Sequence, residues 1–195
     1  MNWVNNGRSN LPMASALGIL VVRRLGDVRL ADSARPVALR WVALSASAVV
    51  ALLVAYGDFR WANGIRSSVE DITARFVQPE RRTLFVGHWG FQYYMQRAGA
   101  LPLDVEREEL MVSDMFVIPN NNTGAFSLPE RTARPVGTVR GPPQFWVQTV
   151  SPRLRAQFYA SNGGYFPFAF GESSPDTYRI HEITRRSRIV NSGGD

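Results

Sequence analysis

The chain has 195 residues, 45% of them hydrophobic, with 22 basic against 16 acidic groups and a formal charge of +6. Every basic residue is Arg, which excludes Schiff-base, P-loop and other lysine-dependent chemistry. Cys is absent too, which removes disulfides, thiolate nucleophiles and cysteine metal sites and leaves two histidines, His88 and His181.

The length suits one ordinary domain plus a membrane anchor. The Arg residues are dispersed and often lie beside acids, as in Asp104-Val105-Glu106-Arg107-Glu108-Glu109. Such a surplus reads as a solvated surface, so no nucleic-acid partner is expected. The polar start, MNWVNNGRSN, lacks the order of basic region, apolar region and cleavage site that marks a secretory signal.

The first apolar run, Leu11 to Val22, is bounded by Arg8 and by Arg23-Arg24 and is too short to span a bilayer alone. It suits the end of a longer span, giving a first apolar helix over about 11–24. An Arg-rich connection, Leu25 to Pro36, follows. Ala38 to Tyr56 is then apolar on all sides, with Arg40 as its one charge. A membrane helix needs about 20 apolar residues, and this segment is long enough if Arg40 snorkels to the headgroups. A buried core helix is the alternative for the uncharged part, Trp41 to Gly57. Arg23, Arg24, Arg29, Arg35 and Arg40 outweigh Asp27 and Asp32 before the span, which places the connection in the cytoplasm and the chain beyond Tyr56 outside.

From Asp58 to Val77 the apolar residues Phe59, Ala62, Ile65, Val69, Ile72 and Phe76 recur every three or four positions. That spacing predicts an amphipathic helix lying on the bilayer or on the next domain, with Arg60, Arg66 and Arg75 outward and with Gly57 and Asp58 as its break and cap. Arg82 to Val86 is β-prone. After Gly87-His88-Trp89-Gly90 comes a helical pattern placing Phe91, Tyr94, Met95 and Ala98 on one face, with Gly99 to end it. A strand-like run over Met115 to Ile118 completes a small α/β layer. The acids between Asp104 and Asp114 read as an exposed face rather than a catalytic or metal site.

Pro119 to Pro143, rich in Asn, Gly, Pro and Arg, reads as a long loop. Phe145 to Val150 and Tyr178 to Ile183 read as strands. Between them lies an aromatic, glycine-punctuated stretch, Phe158-Tyr159 and Gly163 to Phe170. A sugar-stacking platform and a membrane-touching loop suit its composition, but a core strand entered through a turn is the simpler reading. Residues 185–195 read as a disordered tail. The expected class is thus α/β: one or two transmembrane helices within 1–57, an amphipathic helix over 58–77, and a small external α/β domain over 78–184.

Three stretches together are similar to the C-terminal end of bacterial multi-spanning membrane glycosyltransferases of the GT-C superfamily, the dolichyl-phosphate-mannose protein mannosyltransferase-like group. They are Asn2-Trp3 with Arg8 and Leu11-Pro12-Met13 before the run ending Val21-Val22-Arg23-Arg24-Leu25; Asp58 with Ala62-Asn63; and Phe85 through Met95 with Gly99-Ala100. The resemblance implies a bacterial inner-membrane protein with its C-terminal domain periplasmic, and as partners the bilayer, a polyprenyl-phosphate sugar and its acceptor. In that family an acidic residue on an early external loop is tied to catalysis, and the chain starts far downstream of that point. No catalytic residue, metal or cofactor is therefore expected here; the chain reads as a terminal fragment or short relative. The alternative is a stand-alone membrane-anchored binding or scaffold module.

Within the last stretch, Gly87 to Gly90 sits where a strand hands over to a helix. Its amides and the helix dipole suit a phosphate or carboxylate, with His88, Trp89 and Gln92 beside them. Gly87, His88, Trp89, Gly90 and Gln92 are thus the candidate substrate-binding residues. In the simpler reading the glycines make a tight turn, His88 bonds locally and Trp89 packs.

Overall fold

The computed structural model of the chain describes residues 16–21, 23, 35–104, 109–121, 128, 131–158, 166–172 and 175–188. Its dominant element is α1, Arg35–Phe76, one helix of 42 residues, about 63 Å long at 1.5 Å per residue. Pro36 lies in the first turn, where its missing N–H costs nothing. Among the described residues α1 is the one helix long and apolar enough to cross a membrane by length and composition. Of the expected first helix, residues 16–21 and 23 are helical and exposed. The rest of that segment and residues 25–34 of the connection lie outside the described residues.

The expected break at Gly57 and Asp58 does not occur, so the segments read as span and amphipathic helix are one rod. An internal glycine costs a helix about 1 kcal/mol relative to Ala. Gly57 is nonetheless required, because a Cβ there would lie 2.3 Å from the carbonyl oxygen of Val147. It marks a close backbone approach, not an end.

The chain divides into two compact units, residues 1–60 with 145–173 and residues 61–144 with 174–195. Residues 145–173, expected to belong to the sheet domain, thus cluster with the apolar part of α1.

In the first unit the segment read as one strand, Phe145 to Val150, is two short ones, β6 (Val147–Gln148) and β7 (Val150–Ser151). β6 pairs antiparallel with β9 (Ala169–Phe170), and β7 with β8 (Ala156–Gln157). Of the aromatic stretch, residues 159–165 lie outside the described residues. The rest departs from a core strand, since Phe166 and Phe170 are exposed by 57% and 50%.

The second unit holds a five-stranded sheet in the order β2-β1-β4-β10-β5. β1 (Thr83–Phe85) runs parallel to both β2 (Leu101–Pro102) and β4 (Met115–Pro119), and α2 (Trp89–Arg97) connects β1 to β2. β10 (Thr177–Ile183) is antiparallel to β4 and to β5 (Ala133–Arg140). β5 lies in the stretch read as a loop. It is an edge strand with most side chains exposed, and its register with β10 shifts at Ile180/His181; an edge and an irregularity are the two places a sheet tolerates a proline such as Pro135.

Alternation along β4 separates the two faces of this sheet. Phe116 and Ile118 join Leu84, Leu110 and Ile183 in one buried cluster. On the other face, Phe91 of α2 meets Phe85 edge-on at 5.7 Å and stacks on Tyr178 at 5.3 Å. The predicted stripe of α1 is buried at Ile65, Val69 and Ile72 and half-buried at Phe76, while Phe59 and Ala62 fall on the exposed side; Trp61, outside the predicted stripe, is buried with it. Gly99, with φ +86°, closes α2 as expected: its N–H bonds to the Gln96 carbonyl and that of Ala100 to Met95.

The acids read as an exposed face are partly structural. Asp114 is buried and takes the Arg82 guanidinium at 2.5 Å and the Met111 N–H at 2.7 Å. Glu109 pairs with Arg186 of the segment read as a tail, and β11 (Ser187–Arg188) pairs with β3 (Glu109–Leu110). The tail expectation therefore fails for 185–188; residues 189–195 lie outside the described residues.

Candidate functional site

Among the described residues, three places have the polar groups or the space a site needs. The first is the turn singled out by the sequence. Gly87 follows β1 with φ +129°, and a Cβ there would lie 2.8 Å from Phe91 Cδ1 and 3.2 Å from Pro119 Cγ. Only glycine fits both the backbone and the space. Gly90 has nothing within 4 Å of such a Cβ. His88 is the extended residue preceding α2, and its side chain makes no capping bond. Trp89 is left-handed, with φ +56°. His88 and Trp89 are exposed side by side, their ring centroids 6.3 Å apart, and Gln92 is half-buried one turn on. The five residues form a ledge at the amino end of α2, with Gly87 serving the turn.

The second is a buried polar cluster that the sequence reading missed. Asp176 accepts the indole Nε1–H of Trp61 at 3.0 Å on one oxygen and the side-chain amide of Asn121 on the other. Burial pushes its carboxyl above the ordinary range, and the bonds from Asn121, Trp61 and Gln144 pull against that shift. Burial, then the nearby Asp176 charge, also raises the Tyr178 phenol, which shares a hydrogen bond with Ser68. With both oxygens engaged and 7% of the residue exposed, Asp176 has no free face to offer a substrate. The cluster joins α1 to the sheet alongside the apolar packing of Ile65, Val69 and Ile72.

The third is a groove in the first unit, about 820 Å³ in volume, within the ordinary range of roughly 300–1,000 Å³ for ligand sites. One wall is a face of α1 on which Ala46, Val50 and Val54 recur at four-residue spacing, with Ala51 and Ala55 beside them. Phe158, Pro167 and Phe168 form the opposite wall. Ser47 also lines it, but its hydroxyl is spent on the Ala43 carbonyl at 2.9 Å. Its polar end is Asp58, whose carboxylate accepts the Thr149 hydroxyl at 2.8 Å. Small residues along one side of α1 were the available signal, masked by apolar character all round the helix.

None of the five predicted residues lines this groove. Among the described residues no group of three or more acids and histidines could hold a metal ion. Its lining is chemically suited to a hydrocarbon chain, with one carboxylate and one hydroxyl at an end.

Compared with protein-family models, curated proteins and solved structures, the chain gives no match. Its class is the one the fold defines: a mixed α/β protein in which one long apolar helix precedes a small sheet domain.

Proposed function

We propose that the chain works in a bacterial inner membrane as the C-terminal region of a glycosyltransferase that takes its sugar from a polyprenyl-phosphate donor, the transfer step being carried by a part of such an enzyme outside these 195 residues. The groove is the observation that supports this reading. It is apolar along its length, its α1 wall includes the exposed Ala46, Ala51 and Ala55, and it closes at Asp58 and Thr149. An exposed apolar helix face is unfavourable in water by about 25 cal/mol per Å² and carries no such penalty in hydrocarbon. A groove on that face is filled from the bilayer, and an isoprenyl chain is the part of the donor that fits it.

The test is photo-crosslinking in vesicles with a diazirine-bearing polyprenyl phosphate. Labelling is expected within 46–55 and at Phe158, Pro167 and Phe168, and filling the groove with Val50→Trp and Val54→Trp should remove it. Persistent labelling of the filled variant rejects the groove. A chain that stays in the membrane but is never labelled favours the stand-alone anchored module instead. The external placement of the sheet unit is tested separately by a fusion at Gly99: alkaline phosphatase should be active there and a cytoplasmic reporter silent.

A further inference from the structure

The first unit carries an aromatic surface that the groove does not use. A line of ring contacts runs from α1 outward: Tyr56 meets Phe145 edge-on at 4.9 Å, Phe145 touches Trp146 at 5.6 Å, and Trp146 stacks on Phe170 at 5.3 Å. These rings are not core. Tyr56, Trp146 and Phe170 are exposed by 45%, 48% and 50%.

Their position on α1 is fixed. Tyr56 lies near the end of the outward-facing apolar stretch that includes Val49 and Leu52 and reaches Phe59, and Asp58 and Arg60 follow Tyr56 within one turn. The Arg60 guanidinium lies 6.0 Å from the Tyr56 ring centroid and donates to its hydroxyl at 3.3 Å. The β6–β7 stretch, 147–151, is held at this level by the Gly57–Val147 backbone approach and by the Thr149–Asp58 hydrogen bond. Just beyond it Arg153 and Arg155 are exposed.

We infer that this surface is a seat in the bilayer interface: Tyr56, Trp146, Phe166 and Phe170 lie at headgroup depth, holding β6 and β9 on the membrane beside the groove. Tyr and Trp rings such as Tyr56 and Trp146, with one apolar body and one polar edge, concentrate at that depth, the phenyl rings of Phe166 and Phe170 add apolar area beside them, and arginines there meet lipid phosphates. A patch of this kind facing water would be an aggregation liability. Continuity with the exposed apolar side of α1 selects lipid as the occupant. The inference rests on α1 spanning the bilayer, as the proposed function has it, but not on the identity of any substrate.

Because the chain has no Cys, one introduced Cys can carry one nitroxide label. Phe166→Cys, Val49→Cys and Gln96→Cys are compared in lipid nanodiscs of phosphatidylcholine and phosphatidylglycerol by their accessibility to oxygen and to a soluble nickel chelate. The label at 49 should be reached by oxygen alone and the label at 96 by nickel. The label at 166 should show a severalfold higher oxygen-to-nickel ratio than that at 96. Adding Trp146→Ser and Phe170→Ser should shift the label at 166 toward the ratio at 96. A label at 166 as aqueous as that at 96, with the label at 49 still in lipid, overturns the seat and leaves the spanning reading intact. A label at 166 reached by neither reagent means protein covers the surface and also overturns it. An aqueous label at 49 ends both.

Discussion

Trp61 on α1 donates its indole N–H to Asp176, 115 residues away, at 3.0 Å. This bond ties the middle of a long helix to the start of β10, and the carboxylate at its end is buried. A helix whose apolar stripe is buried at Ile65, Val69 and Ile72 is here joined to the sheet through a buried carboxyl as well.

That choice has a pH signature. Burial raises the Asp176 pKa in the folded state above its ordinary value, so folding favours the protonated acid. The corresponding stability is fully present below the unfolded pKa, about 3.9 for Asp, and is lost as pH rises through the raised folded value. The melting temperature of the native chain relative to Asp176→Asn should therefore be highest in acid and fall toward neutrality. Calorimetry of both proteins across that range checks it; a difference that does not change with pH would show that the carboxyl is not desolvated.

Asp114 should behave differently, because its charge is paired. Asp114→Ala strips Arg82 of its carboxylate at 2.5 Å, leaving it the Glu109 carbonyl at 2.7 Å, and the Met111 N–H of its acceptor. With Arg82 still partly solvated, the expected loss is about 2–3 kcal/mol, below the range for a fully buried pair. Urea unfolding should show a lower midpoint with an unchanged slope.

Gly87→Ala should destabilise the sheet unit by about 1–3 kcal/mol, since the new Cβ meets Phe91 on a backbone that L-residues avoid. Gly90→Ala, with open space around it, should stay within about 0.5 kcal/mol of the native chain. The double variant His88→Ala, Gln92→Ala separates ledge from site: retention of a polyprenyl-phosphate sugar should be unchanged while the melting temperature drops. Lost retention at unchanged stability would assign the ledge to the ligand.

At Gly57 the obstruction is backbone, which cannot rotate away. Gly57→Ala drives a Cβ against the Val147 carbonyl and should loosen segment 145–173 from α1. Limited proteolysis is expected to cut that segment faster in the variant, with the sheet unit's core left resistant. Equal cutting rates would mean that the approach carries no load.

Much of the fold is local and was therefore legible. The apolar run from Trp41 and the buried positions Ile65, Val69 and Ile72 announce a helix through their spacing alone. The turn at Gly87 and the stop at Gly99 follow from what glycine permits. The groove and the Asp176 cluster were not legible, because each is assembled from residues distant in the chain. Small side chains at Ala46 and Val50 say nothing of Phe158 and Phe168 opposite them, and Asp176 resembles any other loop acid until Trp61 and Asn121 are brought to it.

The sequence by itself determined the helical periods, the glycine-dependent turns, and the lysine- and cysteine-dependent chemistries that are unavailable to this chain, since these depend on neighbours within a few residues or on composition. Tertiary structure alone decided the rest. It made β5 a strand through its pairing with β10 despite Pro135, and ordered residues 185–188 through β3 and Glu109. It kept α1 unbroken through Gly57 and gathered 145–173 beside the apolar helix, not with the sheet. The physical reason is the same in each case: a backbone hydrogen bond, an ion pair or a close approach between residues far apart in sequence outweighs a local preference worth about 1 kcal/mol or less.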